Sequence, residues 1–146
     1  MNRSPVVLYC PLLSASDDRA LISEMADALA SNGTITDSAS FADAVWERES
    51  QQRTWLGREA AIPHARVTGA KQLSLVIGSH ASGIEWGAPA HRARLFFLSA
   101  VPPNAGVDYL YLTQRITRTL RDESRRQALL AAGDAGALAD AWRQKT

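Results

Sequence analysis

Leu95-Phe96-Phe97-Leu98 is a continuously apolar run that precedes Pro102-Pro103. It shows no alternation and is too short for a typical helix, so it predicts a strand covered on both faces. Such a strand needs helices on each side of its sheet. Working outward, Pro5 to Tyr9 is rich in β-branched residues and is stopped by Pro11, which predicts another strand. Leu73 to Gly78 reads as a third, and Ala60 to Pro63 as a short one ending at its proline. Gly83, Gly87 and Pro89 mark a turn-rich connection, with Ile84 and Trp86 as its apolar contacts.

Helical periodicity flanks this centre. Leu21, Ile22, Met25, Ala26 and Leu29 fall on one face of a helix that starts near Asp17-Asp18 and stops at Gly33. A second helix spans about 38–49, with Phe41, Ala44, Val45 and Trp46 inward and Ser38 or Ser40 as its cap. After Pro102-Pro103, Tyr109, Leu112, Ile116 and Leu120 form one stripe, Leu129 and Leu130 another, and Leu138 and Trp142 the last. Gly133-Asp134 supplies a stop and then a cap between the final two helices. The expected fold is α/β: a single-domain sandwich over 1–146, with a central mixed β-sheet flanked by helices.

Composition narrows the function. The chain has 146 residues, with 16 Lys+Arg against 15 Asp+Glu. The balance argues against an electrostatic nucleic-acid binder, which normally carries a basic excess. With 46% hydrophobic and 21% charged residues it has globular rather than disordered usage. One cysteine provides neither an internal disulfide nor a Cys-rich zinc site. No apolar run approaches the roughly 20 residues of a membrane span. After Arg3, the first apolar stretch is cut by Pro11, Ser14, Ser16 and Asp17, a poor signal peptide. The expectation is a cytoplasmic domain without membrane insertion.

Phosphate-loop, H-E-x-x-H, C-x-x-C and G-x-S-x-G patterns are absent from the sequence, which gives no support to a nucleotide, other cofactor or metal. Three histidines remain. His91, in Ala90-His91-Arg92, reads as a polar connection, and His80, ending a strand, is a weak candidate. His64 has better context, because Pro63 fixes its own φ and lacks a donor, so the sheet ladder is expected to end there and display the imidazole. Arg66, two residues on, would share its face in an extended chain. A neutral imidazole is a nucleophile near pH 7, and a cation beside it would stabilise a transferred phosphoryl group. From spacing alone that reading and simple packing of His64 on Pro63 beside a solvated Arg66 stay equally open.

Ala61-Ile62-Pro63-His64-Ala65-Arg66 resembles the phosphohistidine signature of the fructose/mannitol-type (type 2) IIA domains of the bacterial phosphoenolpyruvate-dependent sugar phosphotransferase system, a group that includes the nitrogen-regulatory IIA proteins. Arg48-Glu49 with Thr54 and Gly57 resembles the family's R-E-x-x-x-x-T-x-x-G approach, and Gly83-Ile84 with Trp86 its G-I-x-[FW] segment. Leu95 to Leu98 with Pro102, and Arg121-Asp122 through Leu129-Leu130, follow in the family's order. The likeness runs from about Val6 to Trp142.

The resemblance implies a phosphocarrier in sugar uptake or regulation. His64 would accept phosphate on Nε2 from HPr or a paralogous donor and pass it to a IIB acceptor, with regulatory targets as further partners. Arg48 would stand near the site, and Thr54 would offer a hydroxyl to the phosphoryl oxygens. Without the resemblance, Arg48 reads as a helix-end residue pairing with Glu47 or Asp43. Two positions depart from the family. Tyr109-Leu110 replaces an H-L pair, and Tyr109 reads first as a core residue on its stripe. Arg58-Glu59 replaces a small residue and glycine, and Glu59 would raise the His64 pKa if it faced the site.

Arg115, Arg118, Arg121, Arg125 and Arg126, interrupted by acids, read as a solvated helix face. Trp55 and Trp86 read either as core or as part of an apolar partner surface. A regulatory binding module of the same fold, with little or no phosphotransfer, is the alternative function. A hydrolase or metal protein using His64, His80 and a carboxylate is a weaker third.

Overall fold

The computed structural model describes residues 4–144. Strand β1 (Val6–Cys10) leads into helix α1 (Asp18–Ser31) and helix α2 (Ser38–Gln51). Three short strands follow, β2 (Trp55–Gly57), β3 (Ala60–Ala61) and β4 (His64–Arg66). The long strands β5 (Ser74–Glu85) and β6 (Arg92–Val101) precede helices α3 (Gly106–Arg121), α4 (Glu123–Ala131) and α5 (Ala135–Arg143). Together the strands form one mixed sheet in the order β1-β5-β6-β3-β2, and β4 pairs with β6 beyond β3.

The apolar run of β6 alternates between two cores. Phe96 and Leu98 join Val76 and the α1–α2 layer, whereas Leu95 and Phe97 join Leu75, Ile77 and the α3–α5 layer. All four side chains of the run are fully buried, as a centrally placed strand with helices on both faces requires. Helix α1 buries the expected Leu21, Ile22, Met25, Ala26 and Leu29, and the Asp17 carboxylate caps it by accepting from Ala20 N. Gly33 adopts φ +78° just past its end.

Some local expectations change. The cap of α2 is Asp37, which accepts from Ser40 N, rather than Ser38 or Ser40. Its inward face is Phe41, Ala42, Val45 and Glu49, while Ala44 and Trp46 are half-buried. The segment containing Gly83 belongs to β5, with the irregular register between Ser79 and Ile84 taken up by a bulge. Trp86 is wholly buried and Trp55 stacks on His91 with ring centroids 4.8 Å apart. Arg125 is buried rather than solvated, donating with Arg115 to the Trp142 carbonyl at the end of α5. Among the described residues no helix is long and apolar enough to cross a membrane.

Candidate phosphoryl-acceptor site

Pro63 does not end the ladder; it puts a step in it. Ala60 and Ala61 pair with Leu95 and Phe96, the chain steps out at Ile62-Pro63, and pairing resumes with His64 opposite Ser99. Proline lacks an N–H, but its carbonyl accepts from Ser99 N at 3.1 Å, so β6 loses little across the gap. Ile62 N donates to the Thr54 carbonyl at 3.0 Å, and the Ile62 carbonyl lies 3.0 Å from His64 Nδ1. A carbonyl can only accept, so the proton of the neutral ring sits on Nδ1 and the lone pair on Nε2.

Both helical layers approach this imidazole. The Tyr109 ring of α3 stands with its centroid 5.1 Å from that of His64, tilted by 39°. Arg48 comes from the last turn of α2, where Nη1 also donates to the Gln52 carbonyl at 3.0 Å. Arg66 shares the extended face of β4 with His64, and its guanidinium lies 3.7 Å from where a β-carbon on Gly106 would stand. His64, Arg48, Arg66 and Tyr109 line one open cavity of about 400 Å³ with Ala44, Glu47, Gln51 and Ala65. Among the described residues neither Arg48 nor Arg66 forms an ion pair with a carboxylate.

Burial holds the His64 pKa below its ordinary value. The Ile62 carbonyl pulls it back, Arg48 and Arg66 push it further down, and Glu49 opposes them. The ring is therefore neutral near pH 7, with Nε2 available as a nucleophile. Burial also pushes the Tyr109 phenol up to about 12, against the influence of Arg48 and Arg66. A neutral imidazole, a protonated phenol and two permanently charged guanidiniums can accept and surround an oxyanion.

Other expected residues stand apart. The Thr54 hydroxyl, expected to face a phosphate, instead donates to the Glu49 carboxylate, which also accepts from Thr54 N at 3.1 Å. Glu59 reaches Arg94 at 3.3 Å, and among the influences on the His64 pKa it does not figure. His80 is separated from His64 along the sheet and is structural: Nε2 donates to the Ala15 carbonyl at 2.8 Å and Nδ1 accepts from Gly83 N at 3.0 Å. Among the described residues no three His, Cys, Asp or Glu side chains group as metal ligands. Tyr109 is half-buried and touches both the α3–α5 core and His64, so its core and site roles coincide.

Glu49 is the residue that composition and motif left without a task. It is fully buried, accepts from Thr54 and lies 3.1 Å from Arg53, which also reaches Asp18 at 2.6 Å. The signal was present in the helical period, since Glu49 follows Phe41 and Val45 on the inward face. This buried carboxylate fixes Thr54, whose carbonyl in turn fixes the Ile62-Pro63 step before His64.

Residues 9–143 match the family model described as "Phosphoenolpyruvate-dependent sugar phosphotransferase system, EIIA 2". The chain is 29% identical over 132 residues to the fructose-specific EIIABC component of Bacillus subtilis (strain 168), covering 88% of this chain and 20% of that protein. It thus spans about a fifth of that relative's length. The fold superposes on the nitrogen regulatory protein IIA-Ntr of Neisseria meningitidis with TM-score 0.80 at 23% identity, over 94% of this chain and 92% of the other. It also superposes on an Escherichia coli structure of IIA mannitol in complex with phosphorylated IIB mannitol, with TM-score 0.78 at 20% identity and 92% of each chain covered.

Proposed function

This chain belongs to the EIIA 2 family of the phosphoenolpyruvate-dependent sugar phosphotransferase system, and from that premise we propose that it is a phosphocarrier whose transient covalent site is His64. The donor is a phosphohistidine carrier of the HPr kind and the acceptor a IIB protein. The observation that carries this reading is the 3.0 Å contact between His64 Nδ1 and the Ile62 carbonyl, from which the tautomer follows. With Nδ1 held by the Ile62 carbonyl, Nε2 presents its lone pair in a cavity lined by two guanidiniums that, among the described residues, form no ion pair with a carboxylate.

In the first step the Nε2 lone pair forms a bond to phosphorus as the donor's P–N bond breaks, and that electron pair returns to the donor ring. The proton stays on Nδ1, hydrogen-bonded to the Ile62 carbonyl, throughout. Arg48 and Arg66 oppose the charge on the equatorial oxygens, which is the main contribution a protein makes to this reaction. Passage to the acceptor reverses the sequence: a nucleophilic atom of the acceptor bonds to phosphorus as the P–N bond at Nε2 breaks, and the ring recovers its lone pair. The complex of IIA mannitol with phosphorylated IIB supports a IIB partner here.

The test uses labelled phosphoenolpyruvate with the first enzyme of the system and an HPr carrier. Acid-labile label is expected on the wild-type chain and none on His64→Ala. A folded wild-type chain that takes no label from any cognate carrier would overturn the assignment and favour a binding module.

A further inference from the structure

We propose that the Tyr109 hydroxyl is a direct hydrogen-bond donor to the phosphoryl group on His64, and so sets how strongly this chain retains phosphate. The inference rests on the phosphocarrier reading and adds to it the residue that holds the cargo. Three observations carry it. Tyr109 lines the same cavity as His64, and its ring leans on the imidazole at 5.1 Å. Both Arg48 and Arg66 influence its phenol, which places that group in the field where the phosphoryl charge would sit. Among the described residues the hydroxyl makes no hydrogen bond to protein, although the ring is half-buried and packed against the α3–α5 core. The hydroxyl is not itself buried, so it is open to solvent and to an incoming acceptor. The Tyr109 side chain lines the cavity where the oxyanion would arrive.

The hydroxyl keeps its proton and gives only a hydrogen bond, so the covalent step is unchanged. The charged and titratable groups around it are Glu47 and Arg48 from α2 and His64 and Arg66 from β4, all lining the shared cavity. A phenol there stays a neutral donor over the whole working range. An imidazole in its place would alternate between neutral and cationic forms.

N-phosphoimidazole tests this without any partner protein. Nε2 of His64 takes its phosphoryl group, free imidazole leaves, and one P–N bond is exchanged for another. The equilibrium, read by phosphorus NMR, therefore reports how the protein stabilises the phosphoryl group. Tyr109→Phe keeps the ring and its packing, and should lower the equilibrium constant by roughly tenfold, as for loss of a hydrogen bond to a charged group. Because the released imidazole and His64 titrate in both proteins, the reading is the ratio of constants: Tyr109→His relative to wild type should rise as pH falls below about 6.5, where its imidazole becomes cationic. Equal constants for wild type and Tyr109→Phe would overturn the role of the hydroxyl while leaving His64 as acceptor. No phosphoryl signal on folded wild type, with free phosphoimidazole intact, would overturn the phosphocarrier reading and this inference together.

Discussion

At the scale of single residues, the site is an imidazole whose environment selects one nitrogen and one charge state. The depressed His64 pKa has two consequences with the same sign. Protonation removes the Nε2 lone pair, so phosphoryl acceptance should be flat above the ordinary histidine value of about 6.5 and fall only as pH drops through the lower folded value. The unfolded chain binds that proton more readily, so the neutral-His64 contribution to stability is present above the unfolded value and lost as pH falls through the folded one. Rates of acceptance across this pH window check the first, and urea titrations of wild type and His64→Ala the second. Arg48→Ala should slow acceptance by about 100-fold, as for loss of one preorganised donor. Because Arg48 pushes the imidazole downward, the same variant should raise the His64 titration midpoint seen by NMR. A slower rate with an unmoved midpoint would place the guanidinium too far from the ring for this account. The I-P-H-x-R stretch made His64 and Arg66 legible because both positions lie on one extended segment. Thr54 was misread: motif spacing gives the neighbourhood of a hydroxyl, but its partner depends on a buried carboxylate from another element.

Elements show where local rules are followed and where they are broken. Helices α1 and α2 follow them, each opened by an aspartate whose carboxylate takes an orphan backbone N–H. The β2–β3 connection breaks them. Arg58 and Glu59, between Gly57 and Ala60, have φ of 53° and 63°, the left-handed pair that a tight hairpin demands and that Asn-Gly fills more easily. Arg58 is exposed, so Arg58→Asn should stabilise the protein by about 0.5–1 kcal/mol by relieving this backbone conformation. Urea unfolding checks it: the midpoint should rise with an unchanged m-value, and a lower midpoint would show that Arg58 makes a stabilising contact. The sequence marked this dipeptide as unusual, but the twist that imposes positive φ comes from pairing two strands across it. Likewise the proline step at Ile62-Pro63 was expected to end a strand. A proline has no N–H to pair, yet its carbonyl remains free to hold Ser99, which a reading of donors alone omits.

For the whole molecule, the α-sheet-α order was legible because one apolar run with no alternation forces helices onto both faces. Strand order was not, since the pairing of β4 with β6 beyond β3 depends on long-range register rather than on any local pattern. The layers are fastened beside the site by Glu49, Arg53, Asp18 and Thr54, which tie α1, α2 and the start of β2 together. Arg53 sits over the rings of both Trp46 and Trp86, each centroid 5.3 Å away. Removing the buried charge with Glu49→Gln should therefore destabilise the fold by about 2 kcal/mol, because Arg53 keeps only Asp18 as a carboxylate partner and one of the two acceptor oxygens facing Arg53 and Thr54 is lost. Urea or thermal unfolding reads the loss, and a change below about 0.5 kcal/mol would remove Glu49 from this structural role. The central claim joins all three scales, since the fold delivers a single nitrogen to a cavity lined by two guanidiniums and one carboxylate, that of Glu47. It is tested most directly by heteronuclear NMR of the phosphorylated, nitrogen-labelled chain. Phosphorus is expected to couple to Nε2 of His64, with Nδ1 still protonated. Coupling to Nδ1, or to any side chain other than His64, would contradict it.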